Sequence, residues 1–243
     1  KYRASFFTAI ADLDQDEQPE VVVATPRALF VLDKTGETLR KTPLMEPQLY
    51  SLMIVPTAFP VSVYDLDADG LPEILLPNGE RMVVYGADLT LRWHMPVHDA
   101  SGIAAATAFD FLGDGNAEVI YGDEKSVWAF AGDDGHVVFS DSRTAATGTE
   151  YAVVADIDND QSAEILVVSS LPVDPAKPQG LRVYGDAHHG WMPARRVFNQ
   201  DTYHVTNIND DGTIPRFEEK HWLKNNTFRA QGQVCKSNGG SLE

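Results

Sequence analysis

The sequence predicts an all-β fold made of four-stranded units that repeat along the chain, as the blades of a β-propeller do. A nine-residue acidic pattern recurs, with acids at positions one, three, five and nine. Successive copies, including a degenerate last one, start 53, 45, 46 and 51 residues apart. Four-stranded propeller blades repeat every 40 to 50 residues or so, whereas ankyrin and leucine-rich repeats are shorter. No stretch shows a sustained apolar period of 3.6, which would indicate helices.

The copies differ in how completely they keep the acids. Three of them have all four acids, and one has Leu112 in place of the third-position acid. The last copy lacks the ninth-position acid, where Pro215 stands, and has asparagines at positions one and three. The copies are Asp12–Glu20, Asp65–Glu73, Asp110–Glu118, Asp156–Glu164 and the degenerate Asn207–Gly212.

Each acidic pattern is expected to lie between the first two strands of its unit. In the second unit the β-prone run 61–64 precedes the pattern, and the runs 74–76 and 82–85 follow it. A turn and a fourth segment complete the unit. Asp and Gly in turns such as 33–36 suit the positive φ that tight turns require. Each unit is therefore predicted to be a four-stranded meander.

The pattern loosens towards the end of the chain. The fourth unit carries a proline-containing insertion over 172–180, predicted to be a surface loop. We expect one propeller domain over residues 1–229, with a variant closing blade, and a flexible tail over 230–243 that ends in cloning residues. Four units and a partial fifth fit either a five-bladed ring or part of a seven-bladed one. Because the chain begins at Lys1, it is interpreted as a piece of a longer protein.

Composition limits the function classes. With 36 acids against 19 bases, the net charge of −17 argues against nucleic acid or an anionic membrane as a partner and favours bound cations. The single Cys235 cannot form an internal disulfide. No apolar run reaches the roughly 18 residues of a membrane span, since the most apolar window, 52–64, is interrupted by two prolines.

The acidic loops are predicted to bind Ca²⁺. Carboxylates at alternate positions converge if the loop curls, and crowding them is costly unless a cation neutralises the charge. Ca²⁺ takes six to eight oxygen ligands, including backbone carbonyls such as that of the seventh residue, while Mg²⁺ demands a tighter octahedron. An EF-hand is excluded because its closing Glu is at position twelve. The alternative is that Asp and Gly are ordinary turn residues, which repetition at one offset disfavours. The predicted ligands are Asp12, Asp14, Asp16, Gln18, Glu20, Asp65, Asp67, Asp69, Leu71, Glu73, Asp110, Asp114, Asn116, Glu118, Asp156, Asp158, Asp160, Ser162 and Glu164.

These repeats resemble the FG-GAP/VCBS repeats of integrin-α-like propellers and of bacterial secreted proteins. The form D-x-D-x-D-G-x-x-E before an apolar strand carries the resemblance, which extends from about residue 4 to 228. The segments 191–200 and 209–215 are similar to a W-x-P-x-R-x-V-x-N-Q motif and an N-D-D-G-T-I-P motif of such secreted proteins. Glu17 and Gln161 depart from the usual sixth-position Gly.

The resemblance implies an extracellular or cell-surface calcium-binding propeller that serves adhesion or binds a protein or glycan ligand. Further blades or domains of a longer protein are also implied. The alternative function is a calcium-dependent polysaccharide lyase or hydrolase on the same scaffold. Similarity of fold does not decide between the two functions. Its only candidate cluster comprises Arg195, Arg196, Tyr203 and His204, and a structural polar network is the favoured interpretation of that cluster. His188, His189, His94 and His98 are expected at the surface, and the four tryptophans between blades.

Overall fold

The computed structural model describes residues 7–45, 59–169 and 179–234, and in these ranges the protein is all-β. Fifteen strands form four antiparallel sheets, with one short 3-10 turn, η1, and no α-helix among the described residues. The strands are β1 Thr8–Ala11, β2 Glu20–Ala24, β3 Ala28–Leu32, β4 Thr38–Pro43, β5 Ser62–Tyr64, β6 Glu73–Pro77, β7 Arg81–Tyr85, β8 Leu91–Pro96, β9 Thr107–Phe109, β10 Glu118–Gly122, β11 Ser126–Ala131, β12 Val137–Ser142, β13 Val153–Ala155, β14 Glu164–Ser169 and β15 Gly180–Tyr184; η1 is His221–Leu223.

Each sheet is a meander, which confirms the predicted order of parts. Consecutive strands pair in chain order, and each acidic loop joins the first strand of its sheet to the second. Three sheets have four strands and an equivalent irregularity where the third strand pairs with the fourth, near Val31, Val84 and Ala129. The fourth sheet ends at β15 with three strands. Most of the predicted 172–180 insertion, which precedes β15, lies outside the described residues.

The sheets pack face to face through their apolar side chains. The first strand of each sheet lies beside the first strand of the next, β1 by β5, β5 by β9 and β9 by β13. One core cluster joins sheets one and two, a second joins two and three, and a third joins three and four. Every residue of β5 and β9 is buried, whereas β4, β8 and β12 are largely exposed. The first strands therefore form the interior and the last strands the periphery.

Tryptophans contribute to the packing between units, as expected. Trp93 and Trp128 pack in the cluster between sheets two and three, and the Trp93 indole donates to the Gly132 carbonyl at 2.6 Å. Trp191 packs on Phe111, with ring centroids 4.6 Å apart, and the Trp222 indole donates to the Glu17 carbonyl at 3.2 Å.

The C-terminal segment runs through the interior, where it contacts all four sheets. The backbone of Phe228 exchanges two hydrogen bonds with Val63 of β5. The buried Arg229 guanidinium donates to the Thr8 carbonyl of β1 at 3.1 Å, and the Gln231 amide donates to the Val154 carbonyl of β13 at 3.0 Å. The Gln233 amide donates to the carbonyl of Asp110, directly after β9, at 2.7 Å. These side chains satisfy backbone carbonyls that face the interior.

Two expectations about the C-terminal part need correction. The variant closing blade has no strand of its own among the described residues after Tyr184, only turns, η1 and isolated bridges. Residues 230–234, assigned to the flexible tail, are placed against the core, and Ala230 and Gln231 are completely buried. Their Gly, Ser and Asn-rich continuation, 235–243 with Cys235, lies outside the described residues.

No helix of the described residues is long and apolar enough to span a membrane.

Candidate metal centres

The four acidic loops share one backbone conformation. The residues at positions four and six have positive φ in every copy. In the second and third loops glycine fills one or both positions, but in the first and fourth loops side-chain-bearing residues adopt this strained region. Gln161 and Glu17, which depart from the usual glycine, thus keep the glycine-like turn. The residues concerned are Gln15, Glu17, Ala68, Gly70, Gly113, Gly115, Asn159 and Gln161.

The first and ninth acids hold the loop with backbone hydrogen bonds. In the second loop the Asp65 carboxylate accepts the Gly70 amide proton at 2.9 Å, and Glu73 accepts that of Leu66 at 2.9 Å. The equivalent bonds recur in the other three loops, with distances of 2.9 to 3.2 Å. Each of these bonds occupies one carboxylate oxygen and fixes the direction of the other.

Three loops bring acids one, three and nine together. In each of them one oxygen of every such carboxylate lies within 4.8 Å of the others. The third loop, with Leu112 at position three, lacks the third acid and forms no such group; the prediction that its remaining ligands, Asp110, Asp114, Asn116 and Glu118, make a weaker site stays a prediction. Among the described residues the groups are Asp12 with Asp14 and Glu20, Asp65 with Asp67 and Glu73, and Asp156 with Asp158 and Glu164.

The second loop contains buried acid oxygens that have no hydrogen-bond partner. Asp65 Oδ1 and Glu73 Oε1 are buried and have no hydrogen-bond partner, and the Arg92 guanidinium lies 3.9 Å from Glu73 Oε1. A buried, unpaired carboxylate oxygen is costly, and a cation ligated by it removes the cost. Oxygen donors of this type and number fit a hard cation such as Ca²⁺.

Burial and mutual repulsion make it unfavourable for the acids of these loops to be ionised without a bound cation. Burial raises the pKa of the ninth-position acids, and the neighbouring loop aspartates add to the effect. The pKa of Glu73 and that of Glu118 rise to about 7, and those of Glu20 and Glu164 also lie above the usual value. Burial raises the pKa of Asp65 as well. The folded protein thus concentrates negative charge that a proton or a metal ion must neutralise.

The acids at position five accept hydrogen bonds from the backbone of their own loops. The carboxylates of Asp16, Asp69, Asp114 and Asp160 accept the backbone amide proton of the residue two positions later, at 2.7 to 2.9 Å. None of them belongs to the three-acid groups of the described residues. Asp160 also contacts the exposed His189 ring, and no sequence motif predicted this contact. Their role as ligands stays a prediction, as does that of the seventh-position carbonyls of Gln18, Leu71, Asn116 and Ser162.

The degenerate fifth copy does not adopt the loop geometry of the others. The Asn207 side-chain oxygen accepts the His204 backbone amide proton at 3.4 Å, and the Asn209 backbone amide donates to the Thr213 carbonyl at 2.9 Å. No strand of the described residues follows it, so no strand start supplies a ninth ligand. Because its first and third positions are asparagines and its ninth is Pro215, it is predicted to hold no metal.

The polar cluster proposed for catalysis is occupied by structural contacts. The Arg195 guanidinium donates to the Asp210 carboxylate, the Tyr203 hydroxyl and two backbone carbonyls, at 2.7 to 3.1 Å. Tyr203 is completely buried and donates its hydroxyl proton to Gln231 at 2.5 Å. A cavity of about 370 Å³, lined by Arg195, Asp210 and Phe217 among others, opens beside it. His94, His98 and His188 are exposed, as expected.

Part of the chain matches the model of a known repeat family. Residues 92–167 match the model of the FG-GAP-like repeat. The FG-GAP-like match begins in β8 and ends in β14, so it includes both the third and the fourth acidic loops. A search of curated proteins gives no match.

Similarity to a solved structure shows the fold. The Vibrio cholerae biofilm matrix protein Bap1 superposes with a TM-score of 0.62 at 21% identity, over 93% of this chain and 42% of Bap1. A lectin of Agrocybe aegerita, described as recognising non-reducing terminal N-acetylglucosamine, gives a TM-score of 0.40 at 14% identity, over 76% of this chain and 54% of the lectin. The chain thus spans about two fifths of the length of Bap1, and its likeness to Bap1 is one of fold.

Proposed function

We propose that the chain is a calcium-stabilised β-propeller module that acts outside the cell or at its surface and presents a rigid surface to a protein or glycan ligand. The calcium proposal rests on the recurrence of one three-carboxylate geometry in three loops, together with the buried oxygens of Asp65 and Glu73 that have no hydrogen-bond partner. Calcium would neutralise these groups and supply folding free energy.

The propeller part rests on the order of contacts around the interior. The first three steps are those between β1, β5, β9 and β13. The C-terminal segment continues the circuit, since the Asp156 amide donates to the Arg195 carbonyl at 3.3 Å. It also reaches the first sheet, where the Asn226 side chain exchanges two hydrogen bonds with the backbone of Asp12, at 2.7 and 2.9 Å. These contacts support the five-bladed alternative, in which the four sheets and this segment are the members of the ring.

The proposed location outside the cell rests on the shared fold and on the net charge. The fold is shared with a protein of a biofilm matrix, and a matrix lies outside cells. A net charge of −17, much of it placed in candidate calcium loops, suits a calcium-rich exterior and disfavours binding to nucleic acid. The lyase or hydrolase alternative gains no support, because four of the five N–H groups of the Arg195 guanidinium donate to structural partners.

Calcium titration of the metal-free protein is the first test. We expect heat of binding in calorimetry and a higher melting temperature in calcium than in EGTA, with Mg²⁺ much less effective. A melting temperature that is the same in EGTA and in calcium would exclude the calcium role.

Ligand binding needs a separate test. The protein is screened against an array of matrix polysaccharides and cell-surface proteins in calcium and in EGTA. We expect binding that is stronger in calcium, since calcium would order the loops that present the surface. Absence of binding to every component would argue against the adhesive role and leave the calcium result standing.

A further inference from the structure

A second group of candidate metal ligands lies in the C-terminal segment and shares no residue with the acidic loops, although the neighbouring Trp222 contacts Glu17 of the first loop. It comprises His204, Glu218 and His221, and one ring nitrogen of each histidine lies within 4.8 Å of the other and of a Glu218 carboxylate oxygen. Two imidazoles and one carboxylate suit Zn²⁺ and related transition ions, whereas Ca²⁺ prefers an all-oxygen set.

The second nitrogen of each ring is held by a backbone carbonyl. His204 Nδ1 lies 2.9 Å from the Thr202 carbonyl oxygen, and His221 Nε2 lies 2.8 Å from that of Ile10. Because a carbonyl only accepts, these nitrogens carry protons, and in a neutral ring the other nitrogen, His204 Nε2 or His221 Nδ1, has the lone pair that a metal ion needs. In the metal-free protein the contact between His204 Nε2 and the Glu218 carboxylate requires a proton between them, which a bound ion would replace. Metal-ligating histidines commonly make this kind of outer hydrogen bond, which fixes the tautomer and the ring orientation.

The three side chains are also fixed by packing. The rings of His204 and His221 lie 4.2 Å apart between centroids, and the His204 ring stacks on Phe228 at 5.3 Å. Glu218 contacts His204 Nε2 and accepts the Thr206 hydroxyl proton at 3.1 Å. His221 is only 2% exposed. The ligand groups therefore need little ordering when an ion binds.

We propose that His204, Glu218 and His221 form a transition-metal site of the Zn²⁺ type that clasps the C-terminal segment to the first sheet. The position supports this role, since His221 belongs to η1, which contacts β1, and its outer hydrogen bond goes to Ile10 within β1. An ion here ties three points of the segment together at the place where it meets the beginning of the chain. Three protein ligands leave a fourth tetrahedral position for water.

The test uses Co²⁺ as a spectroscopic probe on the full chain, with calcium in excess to fill the acidic loops. We expect one Co²⁺ per chain with the visible absorption of a low-coordinate site, displaced by Zn²⁺, and a higher melting temperature with Zn²⁺ than with calcium alone. His204→Gln and Glu218→Gln should each weaken binding at least about tenfold. His136→Gln is the matched control, because His136 lies in another group of acids and histidine, with Asp133 and Asp134, on an exposed turn.

The choice of variants keeps the result interpretable even if one variant does not fold. Glu218 is exposed, so Glu218→Gln is expected to fold even if a buried-site variant such as His221→Ala does not. Absence of Co²⁺ absorption, or equal affinity in wild type, His204→Gln and Glu218→Gln, would overturn the proposal. Loss of binding in His136→Gln alone would assign the ion to the exposed turn and likewise overturn it. None of these outcomes depends on the calcium loops, whose own test compares calcium with EGTA.

Discussion

Replacing Glu73 by Gln is expected to change the free energy of unfolding in opposite directions with and without calcium. Glu73 is 3% exposed, and burial, aided by the charges of Asp67 and Asp65, raises its pKa from 4.5 to about 7. In the metal-free protein above this pH, Oε1 is a buried charged oxygen without a hydrogen-bond partner. Gln removes the charge, while its amide oxygen can still accept the Leu66 amide proton that Glu73 accepts at 2.9 Å.

The magnitude follows from the pKa. A rise from 4.5 to about 7 corresponds to about 3 kcal/mol, at about 1.36 kcal/mol per unit. Because the folded state holds the proton more tightly, this contribution to stability is complete below pH 4.5 and is lost as the pH rises through about 7. Gln mimics the protonated acid. In EGTA above pH 7 Glu73→Gln should therefore be more stable than wild type, by up to about 3 kcal/mol, and the difference should shrink towards pH 4.5.

Calcium should reverse the order. At free calcium a hundredfold above the dissociation constant, binding stabilises wild type by about 2.7 kcal/mol per site. The variant lacks one anionic ligand of its second loop and gains less. The measurement is urea unfolding, followed by tryptophan fluorescence, in EGTA and in calcium at two pH values. Glu37→Gln is the control, since Glu37 is an exposed acid of a hairpin turn and its replacement changes the net charge equally.

Two results would refute this reasoning. If Glu73→Gln destabilises the protein equally in EGTA and in calcium, the acid serves only as a hydrogen-bond acceptor. If Glu37→Gln shows the same reversal, net charge rather than the second loop is responsible.

Other substitutions test the remaining parts of the structure. Asp156→Ala should lower calorimetric calcium affinity more than Asp110→Ala, because the third loop already lacks an acid; equal losses would contradict the grading of the loops. Asn226→Asp cannot donate to the Asp12 carbonyl and should cost about 1 to 3 kcal/mol in urea unfolding, whereas an unchanged midpoint would argue against closure of the ring. Gln231→Leu removes the side-chain donor to the interior carbonyls of Val154 and Val197 and should destabilise by a similar amount in a thermal melt at full calcium, whereas an unchanged melting temperature would contradict this role.

Local patterns were enough to predict the repeating units. Each acidic loop is specified by residues within nine positions, and its hydrogen bonds span at most seven. Side chains that hydrogen-bond to nearby backbone amides act over such distances whatever the rest of the fold does.

The C-terminal part could not be predicted in this way. Its Gly, Ser and Asn content resembled a tail, yet Gln231 bonds to Val154, 77 positions away, and Arg229 to Thr8, 221 positions away. The acceptors are carbonyls of the innermost strands, which are brought to one place only when the sheets pack. Composition carries no information about such partners.

The sequence by itself determined the all-β class, the four meanders and the carboxylates of the candidate calcium loops, because each depends on short-range periodicity and turn chemistry. Tertiary structure alone decided which acid oxygens stay unpaired, how far burial raises the pKa of Glu73, and that His204, Glu218 and His221 meet beside β1. These properties depend on exclusion of water and on contacts between distant segments, and both arise only when the sheets pack against one another and against the C-terminal segment.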